Sequence, residues 1–186
     1  IGLHCIQQLL DQGYAVNGSV RSPERKDEIY DALKKHNTPT ENLKIFTFNL
    51  MEDDGWDKGM DGCDYLIHVA SPLVLANQDE EFFVKPAVSG AKRALKFAKK
   101  HNVKKVVLTS SVAAIFETTV LKKYYDESDW SDPNKDTINH YAKSKTLAEM
   151  AAWDFVKEEN NPFELAVINP ALVIGPSSVS YTHLTL

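Results

Sequence analysis

Residues 81–111 read EFFVKPAVSGAKRALKFAKKHNVKKVVLTSS, and this stretch decides the fold. Val84, Val88, Ala91, Leu95 and Ala98 recur at helical spacing and predict a long amphipathic helix. Lys99, Lys100 and His101 follow, and positive charge suits the negative end of a helix dipole. The short apolar run Val106 to Leu108 then reads as a strand that flows into Thr109-Ser110-Ser111. A helix feeding directly into a buried strand is half of a βαβ unit.

The same alternation extends in both directions. Upstream, Ile6, Leu9, Leu10 and Gly13 predict a helix with a glycine stop, followed by a strand over Tyr14–Val20. A charged helix is expected over Pro23–Lys35, then strands over Leu43–Phe48 and Tyr65–Ala70. Downstream, Asn139–Glu158 reads as a helix and Leu165–Ile168 as a strand ending at Asn169-Pro170. Strands separated by helices at this spacing predict an α/β fold, a doubly wound parallel sheet of Rossmann type. Such a sheet binds ligands at the carboxyl ends of its strands, so the chemistry is sought just after each strand.

Composition narrows the function. The chain has 186 residues, 43% apolar and 25% charged, which favours one soluble globular domain and excludes collagen, disorder and a disulfide scaffold. No run of about 18 apolar residues is present to span a membrane. A net charge of -5 argues against bulk attraction to nucleic acid or anionic lipid, so the expected partner is a small molecule. Cys5 and Cys63 form no CxxC pair and fit free thiols in a reducing, cytoplasmic setting. The scattered histidines show no metal-ligand spacing, and neither GxSxG nor a Walker A string occurs.

At the strand ends the residues are specific. Arg21 follows the strand at Val20, where an arginine suits the 2′-phosphate of NADP and an acid would suit the 2′-hydroxyl of NAD; Arg25 or Lys26 adds charge. A solvated helix start is the plain alternative. Asn49-Leu50 follows the next strand, and Val69-Ala70-Ser71 the one after, with side chains small enough for a flat ligand to approach the backbone. Ser110 and Ser111 offer hydroxyls to a carbonyl, or else an ST-turn or helix cap.

Tyr141 and Lys145 are four apart and share a helix face. An ammonium near a phenol favours the phenolate, and a tuned tyrosine can pass a proton to a carbonyl oxygen while hydride arrives from a nicotinamide. The spacing alone is weak, because Tyr30 and Lys34 repeat it on the early charged helix. Only Tyr141 and Lys145 follow a strand that ends in serines.

Taken in order, several strings are similar to an extended short-chain dehydrogenase/reductase. They are Ile1-Gly2, Val20-Arg21-Ser22-Pro23, His68-Val69-Ala70-Ser71-Pro72, Val107-Leu108-Thr109-Ser110-Ser111, Tyr125-Asp126-Glu127-Ser128-Asp129-Trp130, Tyr141-Ala142-Lys143-Ser144-Lys145-Thr146-Leu147-Ala148-Glu149 and Asn169-Pro170-Ala171-Leu172-Val173-Ile174-Gly175-Pro176. The chain resembles the dihydroflavonol 4-reductase-like branch, which includes cinnamoyl-CoA reductases and microbial aldehyde or ketone reductases.

The resemblance implies NADPH-dependent reduction of a small aldehyde or ketone. Ser111 would orient the substrate carbonyl, Tyr141 would donate the proton, and Lys145 would hold the nicotinamide ribose and tune Tyr141. Arg21 would grip the 2′-phosphate, and Gly2 would be the last glycine of the phosphate-binding turn. Val69, Ala70 and Ser71 would line the cofactor, and Pro170, Ala171, Leu172 and Val173 would pass beneath the nicotinamide.

Departures from the family pattern qualify this. Asn49-Leu50 replaces the usual Asp-Leu, whose carboxylate meets the adenine amino group; Asn accepts through its carbonyl oxygen. Phe116 stands where flavonoid enzymes carry a substrate-reading Asn, which favours a smaller or more apolar substrate. The chain opens at Ile1, directly in a helix, so the first strand and earlier glycines are expected upstream. Residues 1–178 are thus expected to be part of an NADP-binding Rossmann domain, inactive by itself. Val179–Leu186 (VSYTHLTL) is expected to be sequencing-adaptor read-through, the alternative being a natural Ser/Thr-rich loop. Other readings are an NAD-dependent nucleotide-sugar epimerase or dehydratase, a 3β-hydroxysteroid dehydrogenase-like enzyme, and a non-catalytic NADP-binding redox sensor. Arg21 and the string at 125–130 argue against the epimerases, and the paired Tyr141 and Lys145 argue against the sensor.

Overall fold

A computed structural model describes residues 1–72, 79–116 and 122–175. The expectation for Val179–Leu186 therefore falls outside the described residues. In chain order the elements are α1 (Gly2–Asp11), β1 (Val16–Val20), α2 (Arg25–Lys35), β2 (Leu43–Thr47), α3 (Trp56–Met60), β3 (Tyr65–His68), α4 (Glu80–Lys100), β4 (Lys105–Thr109), a 3-10 turn (Val112–Ala114), α5 (His140–Glu158) and β5 (Glu164–Ile168). Strands alternate with helices and every strand pair is parallel, as the βαβ reading requires. The strands form two sheets, β1-β2 and β3-β4-β5, within two compact units, Gly62–Leu172 and the remainder. No helix among the described residues is long and apolar enough to cross a membrane.

The first unit closes around Leu10, Val16, Leu33 and Leu43, with Leu3, Ile6, Ile29 and Ile45 packed against them. Gly18 lets this happen: a Cβ there would stand 2.8 Å from Ile45 Cδ1 and 3.2 Å from Ile6 Cδ1. α1 stops in a Schellman motif, with Gly13 in the left-handed region and the Tyr14 N–H donating to the Leu9 carbonyl. That bond uses the Tyr14 amide, so β1 starts at Val16 and not at Tyr14. α2, α4 and α5 stop the same way, but with Asn37, Asn102 and Asn160 at positive φ. α3 was not foreseen. It sits in the acidic stretch after Leu50, where Trp56 buries its ring, packs on Phe48 with the rings tilted by 37° and their centroids 4.5 Å apart, and donates its indole N–H to the Asn49 carbonyl at 2.9 Å.

In the second unit β4 is the central strand, with Val106 and Leu108 buried. α4 starts at Asp79, whose carboxylate accepts the Phe82 N–H at 2.8 Å, and carries Glu80 and Glu81 in its first turn and Lys99 and Lys100 in its last. α5 starts at Asn139, whose side chain accepts the Ala142 N–H at 2.8 Å. α4 and α5 pack against each other. Many of the buried residues of the two helices are small: Ala87, Gly90, Ala91, Ala94 and Ala98 on α4, beside Phe83, Leu95 and Phe97, and Ala142, Ser144, Ala148, Ala151 and Ala152 on α5, beside Val156. Small buried residues let two packed helices approach closely.

Candidate active site

The candidate site of the second unit lies at the carboxyl end of its sheet. Thr109 ends β4, and parallel pairing with β5 continues past it: the Ser110 N–H donates to Ile168 O at 2.8 Å and the Val112 N–H to Pro170 O at 3.0 Å. Ser111 caps the 3-10 turn, its Oγ accepting the Ala113 N–H at 3.2 Å. The capping role weighed for this serine is thus real. It uses a lone pair and leaves the hydroxyl proton free to donate. Ser131, the residue after the string at 125–130, buttresses the turn by donating its hydroxyl to Ala113 O at 2.8 Å.

Tyr141 and Lys145 stand on α5 as expected, with Lys145 Nζ 5.9 Å from the Tyr141 ring centroid. Lys145 is buried and donates to the Thr109 carbonyl at 3.3 Å. Burial pulls its pKa down to about 8, against an opposing pull from the Glu149 carboxylate. Its ammonium is therefore held ready at the end of β4 with little water around it. A small crevice gathers Lys145, Glu149, Thr109, Ser110, Ala70, Ser71 and His68. Ser110, which lines the crevice, has its Oγ buried without a hydrogen-bond partner among the described residues. His68 ends β3, which stops before Val69 and leaves Val69, Ala70 and Ser71 beyond the strand as a connecting segment. Pro170 is half-buried beside the 3-10 turn, and Ala171, Leu172 and Val173 are exposed.

The remaining predicted residues belong to the first unit. Gly2 opens α1 behind the N-cap Ile1. Arg21 is exposed beyond β1 and makes no ion pair with a described residue, whereas Arg25 pairs with Glu28 of its own helix at 3.3 Å. Asn49 turns its Oδ1 onto the Met51 N–H at 2.7 Å, which uses one of that oxygen's two lone pairs. Leu50 is half-buried next to it. Tyr30, of the second Tyr-Lys pair, donates its hydroxyl to the Leu43 carbonyl at 3.4 Å and packs on the apolar core of that unit.

Sequence reasoning missed two residues of the site. Asn169 donates from Nδ2 to Ser111 O at 3.1 Å and to Glu149 Oε2 at 2.8 Å. Glu149 is buried. The signal that could have found it is its position four after Lys145, on the same face of α5.

Comparisons with known proteins identify the family and the fold. The family model "NAD dependent epimerase/dehydratase family" matches residues 1–185. The chain is 38% identical over 180 residues to cinnamoyl-CoA reductase 1 of Petunia hybrida, covering 92% of this chain and 50% of that one. It is 37% identical over 183 residues to dihydroflavonol 4-reductase of Arabidopsis thaliana, covering 95% and 47%. Among solved structures it is similar to yeast methylglyoxal/isovaleraldehyde reductase Gre2 complexed with NADPH, with TM-score 0.80 and 32% identity over 93% of this chain and 55% of that one. The chain spans about half the length of the curated relatives it matches. On this match the sheets and flanking helices are a Rossmann-like fold, and the chain belongs to the NAD dependent epimerase/dehydratase family.

Proposed function

We propose that the full-length protein is an NADPH-dependent oxidoreductase that reduces the carbonyl of a small aldehyde or ketone to an alcohol. The observation that carries this reading is the buried Lys145 ammonium at the end of β4, on the Tyr141 face of α5. The relatives named above support the reaction class.

The residues present fit a nicotinamide dinucleotide phosphate. The crevice lies at strand ends, is lined by small side chains at Ala70 and Ser71, and contains an unpartnered hydroxyl at Ser110 beside a cation. Val69, Ala70, Ser71 and Pro170 to Val173 would line the cofactor, Lys145 would hold a ribose hydroxyl, and Arg21 would take the 2′-phosphate. Gly2, Asn49 and Leu50 would serve its phosphate and adenine portions. When bound, the cofactor supplies the hydride. Ser111 donates its free hydroxyl proton to the substrate carbonyl and holds it in place. Tyr141 delivers the proton from its phenol oxygen to the carbonyl oxygen, and the Lys145 ammonium stabilises the phenolate left behind.

Phe116, exposed just past the 3-10 turn, favours an apolar substrate. The test is the full-length protein with NADPH and a panel of aldehydes and ketones. Tyr141→Phe should cut turnover by about 100-fold or more. Undiminished turnover would overturn the mechanism, and NADH outperforming NADPH would overturn the role of Arg21.

A further inference from the structure

We infer that Glu149 and Asn169 are positioning residues that hold Ser111 in its working geometry, an assignment that rests on the reductase reading above. Asn169 is the first residue after β5. Backbone bonds pair Ser110 with Ile168 and Val112 with Pro170, and the Ser111 carbonyl immediately precedes the second of those amides. The Asn169 side chain binds it, with Nδ2 at 3.1 Å. The same Nδ2 donates to Glu149 Oε2 at 2.8 Å, so both carboxamide protons are committed.

Glu149 is buried on α5, one turn beyond Lys145 in the same crevice. A buried carboxylate is costly unless it is hydrogen-bonded or paired, and here the Asn169 amide and the neighbouring ammonium meet that need. The couple ties three elements together: the end of β4, the end of β5 and the helix carrying Tyr141. Ser111 is pinned at its carbonyl by Asn169 and at its Oγ by the Ala113 N–H. The hydroxyl proton is left to donate, and the couple fixes the backbone from which that hydroxyl projects. Misplacing a reacting group by about 1 Å can cost on the order of 100-fold.

The experiment uses the full-length protein with NADPH and its best carbonyl substrate. It measures kcat, the KM for the carbonyl, and the dissociation constant of NADPH by fluorescence. Asn169→Leu keeps the volume and removes both donors. It should lower kcat by about tenfold or more while the NADPH dissociation constant stays within about twofold. Glu149→Leu should fall in parallel, and Glu149→Gln, whose Oε1 still accepts, should recover most of the loss. The double Asn169→Leu/Glu149→Leu variant should be no slower than Asn169→Leu alone.

Wild-type kcat in Asn169→Leu, or losses that multiply in the double variant, would overturn the assignment. If Asn169→Leu melts below the assay temperature, the Glu149→Leu and Glu149→Gln pair decides, and equal losses in both overturn it. A wild-type protein that turns over no carbonyl would overturn the reductase reading, and this inference with it. Turnover that depends on Tyr141 but ignores Asn169 would overturn the inference alone.

Discussion

His68 closes β3 with its imidazole buried. Burial, reinforced by the positive Lys145, holds its pKa at about 4 where 6.5 is usual. The unfolded chain therefore takes up a proton near its ordinary pKa, while the folded chain refuses it until the pH is far lower. The folded value is the depressed one, so this contribution is complete above about pH 6.5 and is lost as the pH falls toward about 4. At about 1.4 kcal/mol per pH unit the loss amounts to about 3 kcal/mol, a large part of the roughly 5–15 kcal/mol that stabilises a domain. The assay is urea unfolding of wild type and His68→Gln at a series of pH values between about 7 and 4. Carboxylates titrate in the same window, but they do so in both proteins and cancel in the difference. Wild type should lose about 3 kcal/mol relative to His68→Gln across that range. Lys145→Met should shrink the loss, because it removes the repelling charge. Parallel stability curves for wild type and His68→Gln would refute the reasoning.

Lys145 makes the opposite demand at alkaline pH. Its pKa is held at about 8 where 10.5 is usual, so wild-type stability should rise between about pH 8 and 10.5, and Lys145→Met should be flat there. Below pH 8 the buried ammonium costs about 3 kcal/mol, so Lys145→Met should lose turnover yet unfold at equal or higher urea than wild type at pH 7. Gly55 has φ +83, and a Cβ there would stand 2.6 Å from Thr47 O; Gly55→Ala should cost about 2 kcal/mol or more, read as a lower melting temperature.

Periodicity exposed most of the framework, because a helix or strand with one buried face must repeat its apolar residues. What it missed was decided by single polar atoms. Asn37, Asn102 and Asn160 end helices in the conformation usually given to glycine, and a search for glycine stops passes over them. α3 is a five-residue helix that buries only Trp56, Gly59 and Met60, too short a face for an apolar repeat to reveal, and its indole N–H is bonded to the Asn49 carbonyl. The proposed roles of Tyr141, Lys145 and Ser111 were legible through the family resemblance of the strings that hold them. Asn169 was not, since its role depends on a carbonyl 58 positions away, and no spacing rule reaches that far.

The small-residue contact between α4 and α5 has a consequence for how this protein can be altered. α4 carries no reacting group, yet Ala87 and Ala91 line the crevice of Lys145, and Ala94 is wholly enclosed. Each methyl added along that seam would have to be taken up by a shift of α5, the helix that carries Tyr141 and Lys145. Laboratory evolution toward bulkier substrates should therefore collect substitutions on α4, several residues from any atom that reacts. The seam would thus set the width of a crevice whose charged groups, Lys145 and Glu149, stand on the other helix.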